Sequence, residues 1–176
     1  VQSEVLFAST AARKKLTESL MQDAKTYGFD GINLDIEGIK ASAGPHYVQF
    51  IRELSIDCRK AGLVLSIDSY VPAAYSAFYN WAEQGRMVDY YIIMAYDEHY
   101  AGGEAGSVSS ISYVENGITD TLKYVPASKT VCALPFYTRV WTESGNETSS
   151  SALGIQGAKQ WIEDNQVELY WQEELG

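Results

Sequence analysis

The stretch Asp30-Gly31-Ile32-Asn33-Leu34-Asp35-Ile36-Glu37 alternates apolar and polar side chains. That is the period of a β-strand, so Asn33, Asp35 and Glu37 are expected on one face and Ile32, Leu34 and Ile36 on the other. Successive polar members then stand about 7 Å apart, close enough to couple electrostatically. A carboxylate crowded by another resists ionisation, so one of the pair can stay protonated near neutral pH. That is what general acid catalysis requires. An acidic strand end held by caps or by neighbouring Arg and Lys is the alternative that spacing leaves open.

Other chemistry-bearing residues gather where strand-like runs end: Asp68 in one, Tyr96 and Asp97 in another, Tyr137 and Arg139 in a third. Asp68 shares a side with Ser66 and Tyr70. The elements that must position them alternate. Leu16, Leu20, Ala24 and Tyr27 recur at helical spacing up to Gly28. The strand-like run from Phe29 to Glu37 follows. A second helix after Pro45 carries Tyr47, Ile51, Leu54 and Cys58 on one face and ends near Gly62. Leu63 to Tyr70 reads as a strand, Pro72 to about Gln84 as a helix, and Met87 to Asp97 as a strand. Ser109 to Tyr124 reads as a helix and Lys129 to Val140 as one strand. Glu143 to Ser151 reads as a polar loop, before a short helix around Trp161 and a final strand containing Tyr170 and Trp171.

Strict strand–helix alternation argues for an α/β fold, a parallel sheet with helices packed outside it. Doubly wound sheets and (β/α)8 barrels both place active sites at the C-terminal strand ends. No G-x-G-x-x-G or P-loop pattern follows any strand, which gives no support to a nucleotide site. The formal net charge of −10 argues against nucleic acid or an anionic membrane surface as the main partner. Apolar runs are too short to span a bilayer. His46 and His99 are distant in sequence, and no Cys–His spacing suggests zinc, so neither metal nor cofactor is expected. Cys58 and Cys132 read as buried free thiols. Asn146-Glu147-Thr148 is a glycosylation sequon, meaningful in a eukaryotic secreted context.

Asp30 to Glu37 resembles, position by position, the signature of glycoside hydrolase family 18, the chitinase-like (β/α)8 barrels. Met94-Ala95-Tyr96-Asp97 resembles the family's M-x-Y-D, and Leu134 to Arg139 its G-x-P-x-Y-x-R, with Ala133 in place of the glycine. The run Tyr96 to Ile118 is similar to the branch of bacterial spore-germination and cell-wall hydrolases, which often carry LysM repeats absent here. The resemblance implies substrate-assisted, retaining hydrolysis of β-linked N-acetylglucosamine-containing glycans, peptidoglycan or chitin, at an extracellular, cell-wall or spore site. Glu37 would be the general acid, Asp35 would orient the acetamido group, and Tyr96 would donate a hydrogen bond to it. Asn33, Met94, Asp97, Tyr137 and Arg139 would line the sugar site. Asn33 stands where many members have aspartate. Tyr70, Tyr75, Tyr100 and Trp141 are candidate stacking platforms, and His99 a candidate for the cleft rim or plain surface.

A (β/α)8 barrel needs about 250 residues, against 176 here. The resemblance therefore reads residues 1–141 as a partial barrel, about strands four to seven, and residues 142–176 as the start of the α+β insertion before strand eight. Open half-barrel edges would invite a homo-oligomer. A non-catalytic glycan-binding remnant is the competing expectation.

Overall fold

A computed structural model describes residues 2–145 and 147–175. They divide into two compact units: the residues up to Met94 with Thr119–Val131, and Ala95–Ile118 with the residues from Cys132 onward.

The first unit holds most of the alternating elements. Helices α1 (Gln2–Ala8) and α2 (Thr10–Tyr27) lead to β1 (Gly31–Leu34), α3 (Gly44–Ala61), β2 (Val64–Tyr70), α4 (Trp81–Met87) and β3 (Tyr90–Met94). Helix α5 (Ile111–Leu122) and strand β4 (Thr130–Ala133) follow, giving one sheet in the order β1-β2-β3-β4. The β1–β2 and β2–β3 pairs are parallel, with Asn33 opposite Ser66 and Tyr70 opposite Met94. The Tyr91 amide donates to the Lys129 carbonyl at 2.8 Å, where β4 begins.

Strand β2 shows why the sheet has two characters. Leu65, Ile67 and Ser69 are buried, while Ser66, Asp68 and Tyr70 on the opposite face are only half-buried. The buried side belongs to a core that includes Tyr47, Phe50, Ile51 and Leu54 of α3. Phe7 joins it from α1, its ring 5.2 Å from Tyr47 and 5.3 Å from Phe50. Arg13 of α2 forks onto Glu53 of α3, with both nitrogen–oxygen distances at 3.0 Å. Gly31 has to be glycine: a Cβ there would sit 2.5 Å from the Val64 carbonyl oxygen of the next strand.

Several elements differ from the sequence expectation. Strand β1 ends at Leu34, so Asp35 and Glu37 lie in the segment just beyond it. The helix expected from Pro72 is broken into a 3-10 turn, Ala74–Tyr79, and α4. Asn80 makes the break, adopting φ 55° while its side chain accepts the Glu83 amide at 3.4 Å. Asparagine tolerates this left-handed backbone and caps the new helix.

The second unit corrects three further expectations. Lys129 to Val140 is two strands, because β4 stops before Leu134-Pro135-Phe136 and β5 (Tyr137–Ser144) starts afterwards. Proline has no N–H for a ladder. The expected polar loop is instead β6 (Glu147–Gly154), antiparallel to β5, with Tyr137 opposite Gly154 and Ser144 opposite Glu147. The sequon begins at Asn146, outside the described residues. Helix α6 (Ile155–Asn165) contains Trp161 as expected, but among the described residues no strand follows. Leu175 turns back onto the Gln172 carbonyl, and its own carbonyl accepts the Ile111 amide.

Cys58 is a buried free thiol, and Cys132 is free but only half-buried. Among the described residues, no helix is long and apolar enough to cross a membrane.

Candidate active site

The acidic end of β1 and the polar face of β2 form one group of candidate residues. Asn33, Asp35 and Glu37 are all exposed. Parallel register puts Asn33 beside Ser66, and side chains there can bridge the strands. The Asn33 amide nitrogen donates to Asp68 Oδ2 at 2.7 Å, and its oxygen accepts from Ser66 Oγ at 2.6 Å. Partial burial raises the Asp68 carboxyl above its ordinary value; the Asn33 hydrogen bond opposes this, and the Asp35 charge adds to it.

Tyr70 sits at the end of the same face. Its hydroxyl accepts the Gly38 amide at 3.2 Å. Burial first, and then a hydrogen bond to the Glu37 carboxylate, push its ionisation upward. The phenol therefore stays a neutral donor beside Glu37. Met94 closes β3 and is 8% exposed. This unit thus brings Asn33 to Asp68 and Glu37 to Tyr70.

The other candidate residues belong to the second unit. Tyr96 is half-buried, its ring 6.3 Å from that of Tyr137 at an edge-on 75°. The Tyr137 hydroxyl donates to Asp97 Oδ1 at 2.7 Å, and Arg139 Nη2 reaches the same oxygen at 3.4 Å. Burial and the Asp97 hydrogen bond raise Tyr137, so it too stays protonated. Arg139 Nη1 also donates to Ser150 Oγ at 3.2 Å across the β5–β6 hairpin. Asp97 adopts φ 54°, a left-handed backbone that costs a side-chain-bearing residue about 1–2 kcal/mol.

Of the candidate stacking residues, Tyr75 is 75% and Tyr100 58% exposed, whereas Tyr70 and Trp141 are half-buried. Trp141 is pinned by its indole nitrogen, which donates to the Gly106 carbonyl at 3.0 Å. His99 is half-buried, with Nδ1 2.9 Å from the Ser107 carbonyl oxygen. A Cβ on Gly106 would fall 2.5 Å from its ring, so His99 is packed beneath its own loop. His46 is exposed.

Sequence reasoning did not pair Asn33 with Ser66 and Asp68, or Arg139 with Ser150. The signal for the first pairing was present, since Ser66 and Asp68 share the polar period of a strand. Among the described residues, no group of three His, Cys, Asp or Glu could hold a metal ion.

Known proteins resemble this chain in sequence and in fold. The "Putative sporulation-specific glycosylase YdhD" of Bacillus subtilis is 32% identical over 156 residues, covering 84% of this chain and 36% of the relative. The cortical fragment-lytic enzyme of Bacillus subtilis is 28% identical over 144 residues, covering 78% and 33%. The chain thus spans little more than a third of these curated relatives. A crystal structure of Bacillus subtilis ydhD superposes with TM-score 0.89 at 27% identity, over 97% of this chain and 59% of that one. A chitinase from Chromobacterium violaceum has the same fold, with TM-score 0.89 at 22% identity over 98% and 55%. The family model described as "Glycosyl hydrolases family 18" matches residues 3–174, nearly end to end, and this chain belongs to that family.

Proposed function

We propose that the chain carries the general acid of a glycosidase that cleaves β-linked N-acetylglucosamine-containing glycans by a substrate-assisted, retaining route. One observation carries the reading: a family member has both Asp35 and Glu37, exposed just beyond β1, with the Tyr70 hydroxyl held against the adjoining Gly38 amide. Glu37 donates its proton to the glycosidic oxygen as the bond to the anomeric carbon breaks. The substrate's own acetamido oxygen attacks that carbon and forms an oxazolinium ion, so no protein carboxylate becomes covalently attached. Glu37, now a base, takes a proton from the water that opens the intermediate. Asp35 accepts the acetamido N–H and faces the positive charge, and Tyr96 donates to the acetamido oxygen. Asp97, Tyr137 and Arg139 serve as a hydrogen-bonded wall for the sugar, with Asn33 and Met94 completing the lining.

Peptidoglycan is favoured over chitin, because relatives matched over most of this chain are named as cortical fragment-lytic and sporulation-specific enzymes. A cell-wall or spore location follows from that preference. The sheet is assigned to barrel strands four to seven and the β5–β6 hairpin with α6 to the start of the α+β insertion. The neutral Asn33 favours a second reading, in which the site binds the glycan without turning it over.

The test is hydrolysis of purified peptidoglycan and of N-acetylglucosamine oligomers, followed by mass spectrometry, using protein that carries this chain in a complete barrel. Glu37→Gln is expected to lower the rate by about 10²-fold to 10⁴-fold while binding persists. Equal rates for the two forms would remove Glu37 from the reaction. Binding without cleavage by the unaltered protein would leave the sugar-binding reading.

A further inference from the structure

The polar end of β1 holds an exchange between two positions. Family resemblance puts an aspartate at position 33 in many members, and this chain has asparagine there. On the neighbouring strand, Asp68 stands 2.7 Å from the Asn33 amide nitrogen. Ser66 donates to the Asn33 oxygen at 2.6 Å, so both ends of the amide are engaged and its orientation is fixed. Two carboxylates at that separation would force one to keep a proton. An amide facing a carboxylate avoids the conflict and leaves one acid, on β2 instead of β1.

We propose that Asp68 supplies, from the adjoining strand, the carboxylate that position 33 lacks: held by Asn33, it is a positioning residue for the acidic segment just beyond β1. The role rests on the glycosidase reading above. The groups around Asp68 fit it. Asp35 faces it from beyond β1, Ser66 and Tyr70 flank it on β2, and Ile92 of β3 is opposite it in register. The buried hydroxyl of Tyr47, in α3, also senses the charges of Asp35 and Asp68. Burial and the charge of Asp35 both favour the protonated form of Asp68, while the Asn33 bond favours the charged one. Asp68 therefore answers to the charge on Asp35: that charge adds to the upward shift of its carboxyl, and neutralising it would lower the shift.

Two arms test the proposal. In the first, the Asp68 side-chain carboxyl is titrated by carbon-13 NMR in the unaltered protein, in Asp35→Asn and in Asn33→Leu. The expected result is a lower pKa for Asp68 in Asp35→Asn and a higher one in Asn33→Leu. An Asp68 titration that Asp35→Asn leaves in place overturns the proposal. In the second arm, Asp68→Asn is expected to lower kcat by about tenfold, the equivalent of one pKa unit of coupling, and to alter the pH profile. The exchanged pair, Asn33→Asp with Asp68→Asn, should recover most of the loss. A fully active Asp68→Asn, or an exchanged pair no better than Asp68→Asn alone, also overturns it. Should the unaltered protein cleave no glycan while the NMR titrations shift as expected, the glycosidase reading falls and the coupling of Asp68 to Asp35 stands.

Discussion

Asp68 and Asp97 are two acids at the ends of strands that are held by opposite means. Asp68 in the first unit is met by a neutral amide and lies within the field of another carboxylate. Asp97 in the second unit is met by a phenol and a guanidinium, on a left-handed backbone. The first arrangement leaves an acid free to gain and lose a proton. The second locks an acid as a fixed acceptor that orders its neighbours. The partners, rather than the residue type, make the difference.

The comparison breaks most visibly at Asp97. Asp97→Ala removes the acceptor of Tyr137 and Arg139 and keeps a Cβ at φ 54°. The expected loss of stability is about 2–4 kcal/mol, combining unsatisfied donors with left-handed strain. Urea denaturation followed by tryptophan fluorescence measures it. Asp97→Gly loses the same contacts without the strain, so it should recover about 1 kcal/mol of that deficit. Equal losses for the two variants would mean the backbone at Asp97 is not under strain.

Asp68→Asn, in contrast, should change stability at neutral pH by no more than about 0.5 kcal/mol, since it exchanges one half-buried polar group for another of the same shape. A loss comparable to that of Asp97→Ala would make Asp68 a structural residue. The smallest effect is in the acid titration of stability. Asp68 has a raised carboxyl pKa in the folded protein, so the folded state binds its proton more tightly than the unfolded one. Its contribution to stability grows as pH falls through the folded value, and is complete below the ordinary aspartate pKa of about 3.9. Glu53 works the other way: the hydrogen bond from Arg13 lowers it, so its contribution is present above the ordinary glutamate value and is lost on acidification. Subtracting the Asp68→Asn curve from the unaltered one isolates the rising component. A difference that falls with acidification would reverse the assignment.

Much of the fold was legible because apolar periodicity is a local property. The helices ending at Gly28 and Gly62 and the strands around Ile67 and Ile93 stand where spacing puts them. The β5–β6 hairpin was not legible, since Thr148 to Ser151 is an unbroken polar run and its strand character comes from the ladder to β5. The break at Asn80 was missed because one asparagine both ends a turn and caps the next helix. In the same way, Pro135 was readable as a strand breaker, yet the apolar run around it masked the interruption.

The sequence by itself determined that polar and apolar side chains alternate from Asn33 to Glu37, a period of two that the exposed Asn33, Asp35 and Glu37 keep past the end of β1 at Leu34. It could not determine their partners. Asn33 and Asp68 are 35 positions apart, and Asp97 and Tyr137 are 40 apart. Parallel register set the first pair side by side, and a left-handed turn at Asp97 with the strand at Tyr137 set the second. Tertiary structure alone decided which acid sits near a charge of its own sign and which meets a cation, since Coulomb energy depends on distance in space and not along the chain.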